Sequence, residues 1–521
     1  MHLGRFVEEV AGRYGSSPAL VFEGSTWSYD DLLERSRDAA RAFLASGVSK
    51  GTKVALLLGN RLELVQALFG AAMAGAVVVP VNTMAAPGEL EYILGHSDSA
   101  LLVMQRSLRS HHYDIEASHF PFLSRIVNIG PEWEEFLAAG AAVPDSRLDA
   151  AVAAVHPSDD ALIVYTSGTT AHPKAVVHMH RAPVTQFWRF VEQIRLERHD
   201  RVWSSFPFFW TAGLAMALGG TLASGACLVM QEAFDAGEAL RLMETERVTT
   251  VHAFDHAHSL LAAHPDLATR DLSSVTKVRS GTPLHRHLGL RESWDMRAAY
   301  GLTETFTLVT SIPATASPEE IDRTHGIPLP GMRVRIVDPD TGAPLAAGET
   351  GEIAVKGVTL MRTYYKAFPE DVFDDEGWFR TRDAGWLGED GHLHWTGRLS
   401  NLVKTGGANV SPVEVETRAM ELGTLAVAAA FGLPHPTLDQ ALVLCAVPRA
   451  GAAVDPSSVL AALRPHLASY KLPRRIFLLE EDEVDFTSSD KPRVDALRDL
   501  AVRRIVEAGD DPTWAAHLAS A

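Results

Sequence analysis

The chain has 521 residues, 46% of them hydrophobic and 21% charged, and a net charge of −18. That composition suits a globular, core-forming protein and excludes a disordered tail, a collagen-like fibre and a coiled-coil rod. The acidic excess removes the basic field that non-specific nucleic-acid binding needs, so local cations and backbone amides must meet any bound polyphosphate. Cys227 and Cys445 lie far apart with no CxxC. They offer neither a disulfide framework nor a zinc ribbon, and read as small buried hydrophobes.

The opening run MHLGRFVEEVAGRYG has no apolar secretory segment, and Phe69 to Val81 is too short to span a bilayer. A cytoplasmic protein without a membrane span is expected. Ser28 and Asp31 predict the capped start of an amphipathic helix over DLLERSRDAARAFL, ended by Gly47 and Gly51. Val54 to Leu58 and Ala76 to Val81 read as continuously apolar strands, with a helix between them that Asn60 and Glu63 are expected to cap. Such alternation predicts a mostly parallel sheet covered on both faces. Gly47 to Gly51 matches the G-x-S-x-G elbow in letters only. The elbow needs a strand before its serine and a helix after it; here the order is reversed, so Ser49 is a turn residue. From Gly326 onward, turn signals crowd between short alternating runs such as MRVRIV and GEIAVKG, which predicts a β-rich stretch over about 326–397.

Five segments carry the chemistry. A predicted strand, Ala161 to Tyr165, runs into a loop from Thr166 to Lys174 that offers backbone amides, four hydroxyls and one ammonium to a polyphosphate. It is not a Walker A loop, because Pro173 precedes the lysine and no Ser or Thr follows it. Tyr300, Gly301, Thr303 and Glu304 then put an aromatic ring, a flexible backbone position, a hydroxyl and a carboxylate within five residues. Asp383 ends GWFRTRD, and Gly397 to Glu416 and a terminal segment with Lys491 complete the series.

The order and spacing of these segments resemble the adenylate-forming (AMP-binding) superfamily over essentially the whole chain, most closely its fatty-acyl and aryl-CoA ligases. The resemblance implies an α/β fold: a large N-terminal domain of doubly wound mixed sheets with the β-rich subdomain (1–397) and a small mobile α+β C-terminal domain (398–521) that carries the catalytic lysine. Thr166, Ser167, Gly168, Thr169, Thr170 and Lys174 would form the phosphate loop, with Thr170 among the catalytic groups. Gly281, Thr282 and Pro283 would border adenine, Tyr300 would stack on the ring with Gly301 also in the nucleotide site, Thr303 would contact the α-phosphate, and Glu304 would ligate Mg²⁺. Asp383 would hold the ribose diol with Arg398 nearby. Asn401 falls at the hinge, Gly406 and Gly407 at the thiol tunnel, and Lys491 at the lysine that bridges the carboxylate and the α-phosphate. Phe209, Trp210, Phe254 and Gly326 would line the acyl pocket.

The implied reaction joins a carboxylic acid to ATP, releasing pyrophosphate, and then passes the acyl group from AMP to the thiol of coenzyme A. A carrier-protein thiol, a nitrogen acceptor (nitrite or an amine) and a non-catalytic adenylate binder are the alternatives, and a homodimer is left open. No aspartate neighbours Phe208 and Phe209 to hold an α-ammonium, so an apolar or aromatic acid is favoured over an amino acid. His252 and His256, at i, i+4 spacing, read as pocket residues rather than zinc ligands. Met361, Tyr364 and Tyr365 read as packing of the β-rich stretch. The chain departs from the family pattern at Ala171, Ala175 and Arg382, where glycine is usual. It also departs at Asn401, usually an acid, and at Asp490, where glycine precedes the lysine.

Overall fold

The computed structural model describes residues 1–85, 87–109, 111–166, 173–290, 299–312, 323–399, 403–405, 408–410, 412–467, 471–485, 492–509 and 511–520. The chain divides into two compact units, Met1–Val334 with Val355–Phe379, and Arg335–Ala354 with Arg380–Ala521. The β-rich stretch is therefore shared between units defined by packing.

In the first unit, the apolar runs Lys53–Leu57, Val77–Pro80 and Leu101–Met104 are buried almost throughout. They pair in parallel at the centre of a seven-stranded sheet, joined by Arg125–Asn128 on one side and Asp160–Thr166 on the other. Strands covered on both faces need no polar alternation. The sheet continues antiparallel through Lys174–Met179 to the edge strand Thr363–Tyr364. The predicted helix forms as Tyr29–Ala45, with Ser28 and Asp31 making the reciprocal cap.

A six-stranded sheet runs Lys277–Val278, Thr250–His252, Arg201–Ser204, Cys227–Val229, Pro18–Phe22, Ser25–Ser28, and is parallel except for its last hairpin. A third, antiparallel sheet joins Ala299–Leu302, Thr307–Ser311 and Ile327–Pro328. Both cysteines are buried and free. No helix among the described residues is long and apolar enough to cross a membrane.

The second unit contains a five-stranded sheet built on the long hairpin Leu425–His435 and Asp439–Pro448. Side-chain alternation divides its core in two. Ala429, Phe431 and Leu433 pack with Leu497, Ile505 and Trp514, while Ala430, Leu442 and Leu444 pack with Val459 and Leu463. The buried Trp514 indole donates to Pro434 O at 2.8 Å, so its one polar atom is satisfied.

Candidate active site

Strand pairing explains how the acyl-side residues meet. Arg201–Ser204 and Thr250–His252 are parallel neighbours with Ser204 opposite His252, so the segments leaving their carboxyl ends run out side by side. Carboxyl ends of parallel strands are where open α/β sheets bind ligands. Here Trp210 meets Phe254 edge to face at 5.8 Å, Phe209 lies 5.3 Å from Trp210, and Phe206 lies 4.4 Å from Phe254. Phe206 and Phe209 are buried, but Trp210 and Phe254 stay 37% and 42% exposed. The result is an open aromatic surface on a buried base, which an apolar ligand can cover.

Asn60 fixes this loop. Its buried side chain donates from Nδ2 to Phe206 O and accepts at Oδ1 from Phe208 N, both at 2.9 Å. This corrects the expected helix cap. The cap of helix Leu62–Met73 is Arg61 with no side-chain bond, and Glu63 pairs with the Arg61 guanidinium instead. The amide serves buried backbone groups of a neighbouring loop, which would otherwise lack partners.

On the phosphate side, Thr166 and Lys174 face each other across the hairpin that flanks the predicted loop. Ser167, Gly168, Thr169, Thr170 and Ala171 lie outside the described residues. The chain returns as a strand rather than a helix, in keeping with a loop that is not of Walker A type. Ala175 is a buried strand residue opposite Tyr165 without positive φ, so alanine fits where glycine was expected.

Lys174 Nζ sits over the Tyr364 ring, 4.8 Å from its centroid, and the Tyr364 hydroxyl donates to Glu304 Oε1 at 2.7 Å. Lys174 and Glu304 are thus brought together by a residue that sequence reasoning gave only a packing role. Tyr364 belongs to the edge strand opposite Val176, which turns its ring onto the hairpin.

Glu304 lies in a tight turn. Strand Ala299–Leu302 passes into a single helical turn, Thr303–Thr305, after which Phe306 and Thr307 take left-handed φ values of 51° and 94°. The turn folds so closely that a Cβ on Gly301 would sit 1.7 Å from Thr307 O. His178 Nε2 donates to Thr303 O at 2.8 Å, and Met361 N donates to Glu304 O at 2.7 Å. Burial pushes the His178 imidazole down to about 3, so it is neutral at working pH and spends its one N–H on that carbonyl.

The remaining predicted residues occupy separate places. Gly281 has φ 73°, and Thr282 caps helix Pro283–Leu288 by accepting from His285 N at 3.3 Å. Gly326 immediately precedes strand Ile327–Pro328 of the sheet that holds Tyr300 and has φ 79°; a Cβ there would meet Ser311 C at 2.1 Å. Tyr300 is itself buried in that sheet. His252 and His258 are buried, and burial pushes them to about 3 and about 4. Among the described residues no three His, Cys, Asp or Glu side chains could hold a metal ion together.

In the second unit, Asp383 and Arg398 face each other across strands Phe379–Leu387 and Leu393–Arg398, with Arg398 Nε 2.9 Å from Asp383 Oδ1. The preceding Arg382 has φ 60°, a conformation that favours glycine, and its N–H donates to Glu352 Oε1 at 2.8 Å. Left-handed backbone costs a side-chain-bearing residue about 1–2 kcal/mol, partly offset by the greater chain entropy of unfolded glycine. Arg382→Gly is therefore expected to stabilise the chain by about 0.5–1 kcal/mol in denaturant titration. An unchanged or lowered midpoint would show that the guanidinium contributes as much as its backbone costs. Asn401, Gly406, Gly407, Asp490 and Lys491 lie outside the described residues.

The family model described as AMP-binding enzyme matches residues 7–365. The chain belongs to this family. The AMP-binding enzymes it resembles include feruloyl-CoA synthase of an Amycolatopsis species, 30% identical over 87% of this chain and 90% of that protein. Indoleacetate–CoA ligase of Aromatoleum aromaticum is 29% identical over 97% and 99%. The crystal structure of apo MatB from Rhodopseudomonas palustris superposes with a TM-score of 0.77, at 25% identity over 96% of this chain and 99% of that one. As an AMP-binding enzyme of this type, the chain is an AMP-forming acid–thiol ligase that works through an acyl-adenylate.

Proposed function

We propose that this ligase activates an aromatic carboxylic acid with MgATP and passes the acyl group to coenzyme A. The observation that carries the reading is the open aromatic surface of Trp210 and Phe254 on Phe206 and Phe209, at the carboxyl ends of adjacent parallel strands. The relatives named for feruloyl and indoleacetate substrates support an aryl acid.

In this reading the acid's ring lies against Trp210 and Phe254 while its carboxylate oxygen attacks the α-phosphorus of ATP and pyrophosphate leaves. Thr166 to Thr170 and Lys174 hold the departing phosphates, with Thr303 at the α-phosphate and Tyr300 and Gly281–Pro283 at adenine. Asp383 takes the ribose diol. Lys491 spans the attacking carboxylate and the α-phosphate, and a hinge at Asn401 then exchanges it for the Gly406–Gly407 segment. The coenzyme A sulfur attacks the acyl carbon, AMP leaves, and the thiol proton passes to solvent.

Glu304 suits Mg²⁺. It is a hard oxygen donor, and one carboxylate completed by substrate phosphates and water is a usual set for this ion. Mg²⁺, when bound, neutralises charge that develops between the α- and β-phosphates.

Trp210→Ala is expected to shift the preferred acid toward larger rings while leaving the KM for ATP within about twofold, because it opens volume only where the acid packs. Pyrophosphate release across a carboxylate panel reads this out. An unchanged acid profile in a folded variant would remove Trp210 from the pocket. In the same assay, release that depends on an amine and not on coenzyme A would favour the nitrogen acceptor.

A further inference from the structure

Three contacts converge on the Thr303–Glu304 turn from the hairpin, its edge strand and the segment leading into that strand: His178 on Thr303 O, Met361 N–H on Glu304 O, and the Tyr364 hydroxyl on Glu304 Oε1. Two hold backbone, and only the third holds the carboxylate. Tyr364 is itself fixed by strand pairing opposite Val176 and by edge-on packing against Phe379 at 6.4 Å. Its ring also carries the ammonium of Lys174, two residues before Val176.

We propose that Tyr364 is a positioning residue that sets the Glu304 carboxylate for the metal and the Lys174 ammonium for the phosphates, through two separable parts of one side chain. The inference rests on the assignment of Glu304 to Mg²⁺ above. The hydroxyl acts on the carboxylate. A phenol O–H on Oε1 fixes the rotation of a group that would otherwise turn freely, and leaves Oε2 for the metal. A charge-assisted hydrogen bond of this kind is stronger than a neutral one, and partners that orient a metal ligand are typically worth about 10–100-fold in metal affinity. The ring acts on the lysine. Its face attracts the ammonium and holds a flexible four-carbon stem near one orientation before nucleotide arrives. Phenylalanine keeps the second action and loses the first; leucine loses both.

The test is calorimetric and needs no turnover. The Kd of ATP is measured in EDTA and again with saturating Mg²⁺, for the full chain and for Tyr364→Phe, Tyr364→Leu and Glu304→Gln, each checked for folding by thermal unfolding. Mg²⁺ should tighten ATP binding to the parent chain, and Glu304→Gln should lose most of that gain. Tyr364→Phe should bind ATP in EDTA as the parent does, yet lose about tenfold of the Mg²⁺-dependent gain. Tyr364→Leu should lose the same gain and also bind more weakly in EDTA. A Tyr364→Phe variant that keeps the full gain while Glu304→Gln loses it overturns the proposal. A Glu304→Gln variant that keeps the gain overturns the metal assignment instead. If the leucine variant does not fold, Tyr364→Met, which also lacks a ring face, replaces it for the lysine, while the phenylalanine variant decides the hydroxyl's action, since it removes one oxygen and leaves the ring packing.

Discussion

Lys491→Ala is expected to slow acyl-adenylate formation by about 10²–10³ while leaving thioester formation from preformed acyl-adenylate largely intact. The charge that the first half-reaction must manage is an anionic carboxylate approaching an anionic phosphate, on a chain whose own net charge is −18. One ammonium bridging both oxygens offsets that repulsion and gains strength as charge develops in the transition state. In the second half-reaction a neutral acyl carbon meets a thiol, and no anion pair needs bridging. The two rates should therefore separate. Pyrophosphate release measures the first, and AMP release from added acyl-adenylate and coenzyme A measures the second. Equal losses in both would mean that Lys491 supports the fold or both states. The neighbouring Asp490, where glycine is usual, adds a second carboxylate beside the lysine. Its removal as Asp490→Gly bears on the same first rate.

Gly301→Ala is expected to reduce adenylation by at least about 10² and to destabilise the fold by about 1–3 kcal/mol. The new methyl would sit 1.7 Å from Thr307 O, a backbone atom in a turn already closed by left-handed Phe306 and Thr307. Neither side can yield cheaply, so the strand and the turn must part. Thr303 and Glu304 lie within that turn and would move with it. Misplacement by about 1 Å can cost about 10² in rate even where the reacting groups are intact. Pyrophosphate-release rates and denaturant midpoints check the two effects together. A variant with full activity would show that Glu304 and Thr303 tolerate displacement, and would weaken their assigned roles.

What was legible in the sequence was whatever is written in contiguous residues. The strand into Thr166, the Tyr300–Glu304 run and the Thr381–Asp383 run each announce themselves by residue types at short spacing. The apolar strands and the Ser28–Asp31 cap are equally local. Tyr364 was not legible, because its contact with Glu304 spans 60 residues and depends on a two-residue edge strand. Asn60 misleads for the opposite reason: its local pattern with Glu63 suits a cap, but a buried loop 146 residues away uses the amide instead. Arg382 lies between. Sequence gives the departure from glycine, and only the backbone angle of 60° gives it a consequence.

The most direct measurement is acid-dependent exchange of labelled pyrophosphate into ATP by the full chain, without coenzyme A, followed by coenzyme A-dependent release of AMP. Aryl carboxylic acids should support the exchange, α-amino acids should not, and coenzyme A should convert the bound adenylate to a thioester with one AMP released for each. Failure of any carboxylic acid to drive exchange, or AMP release that ignores coenzyme A, would contradict the proposed reaction.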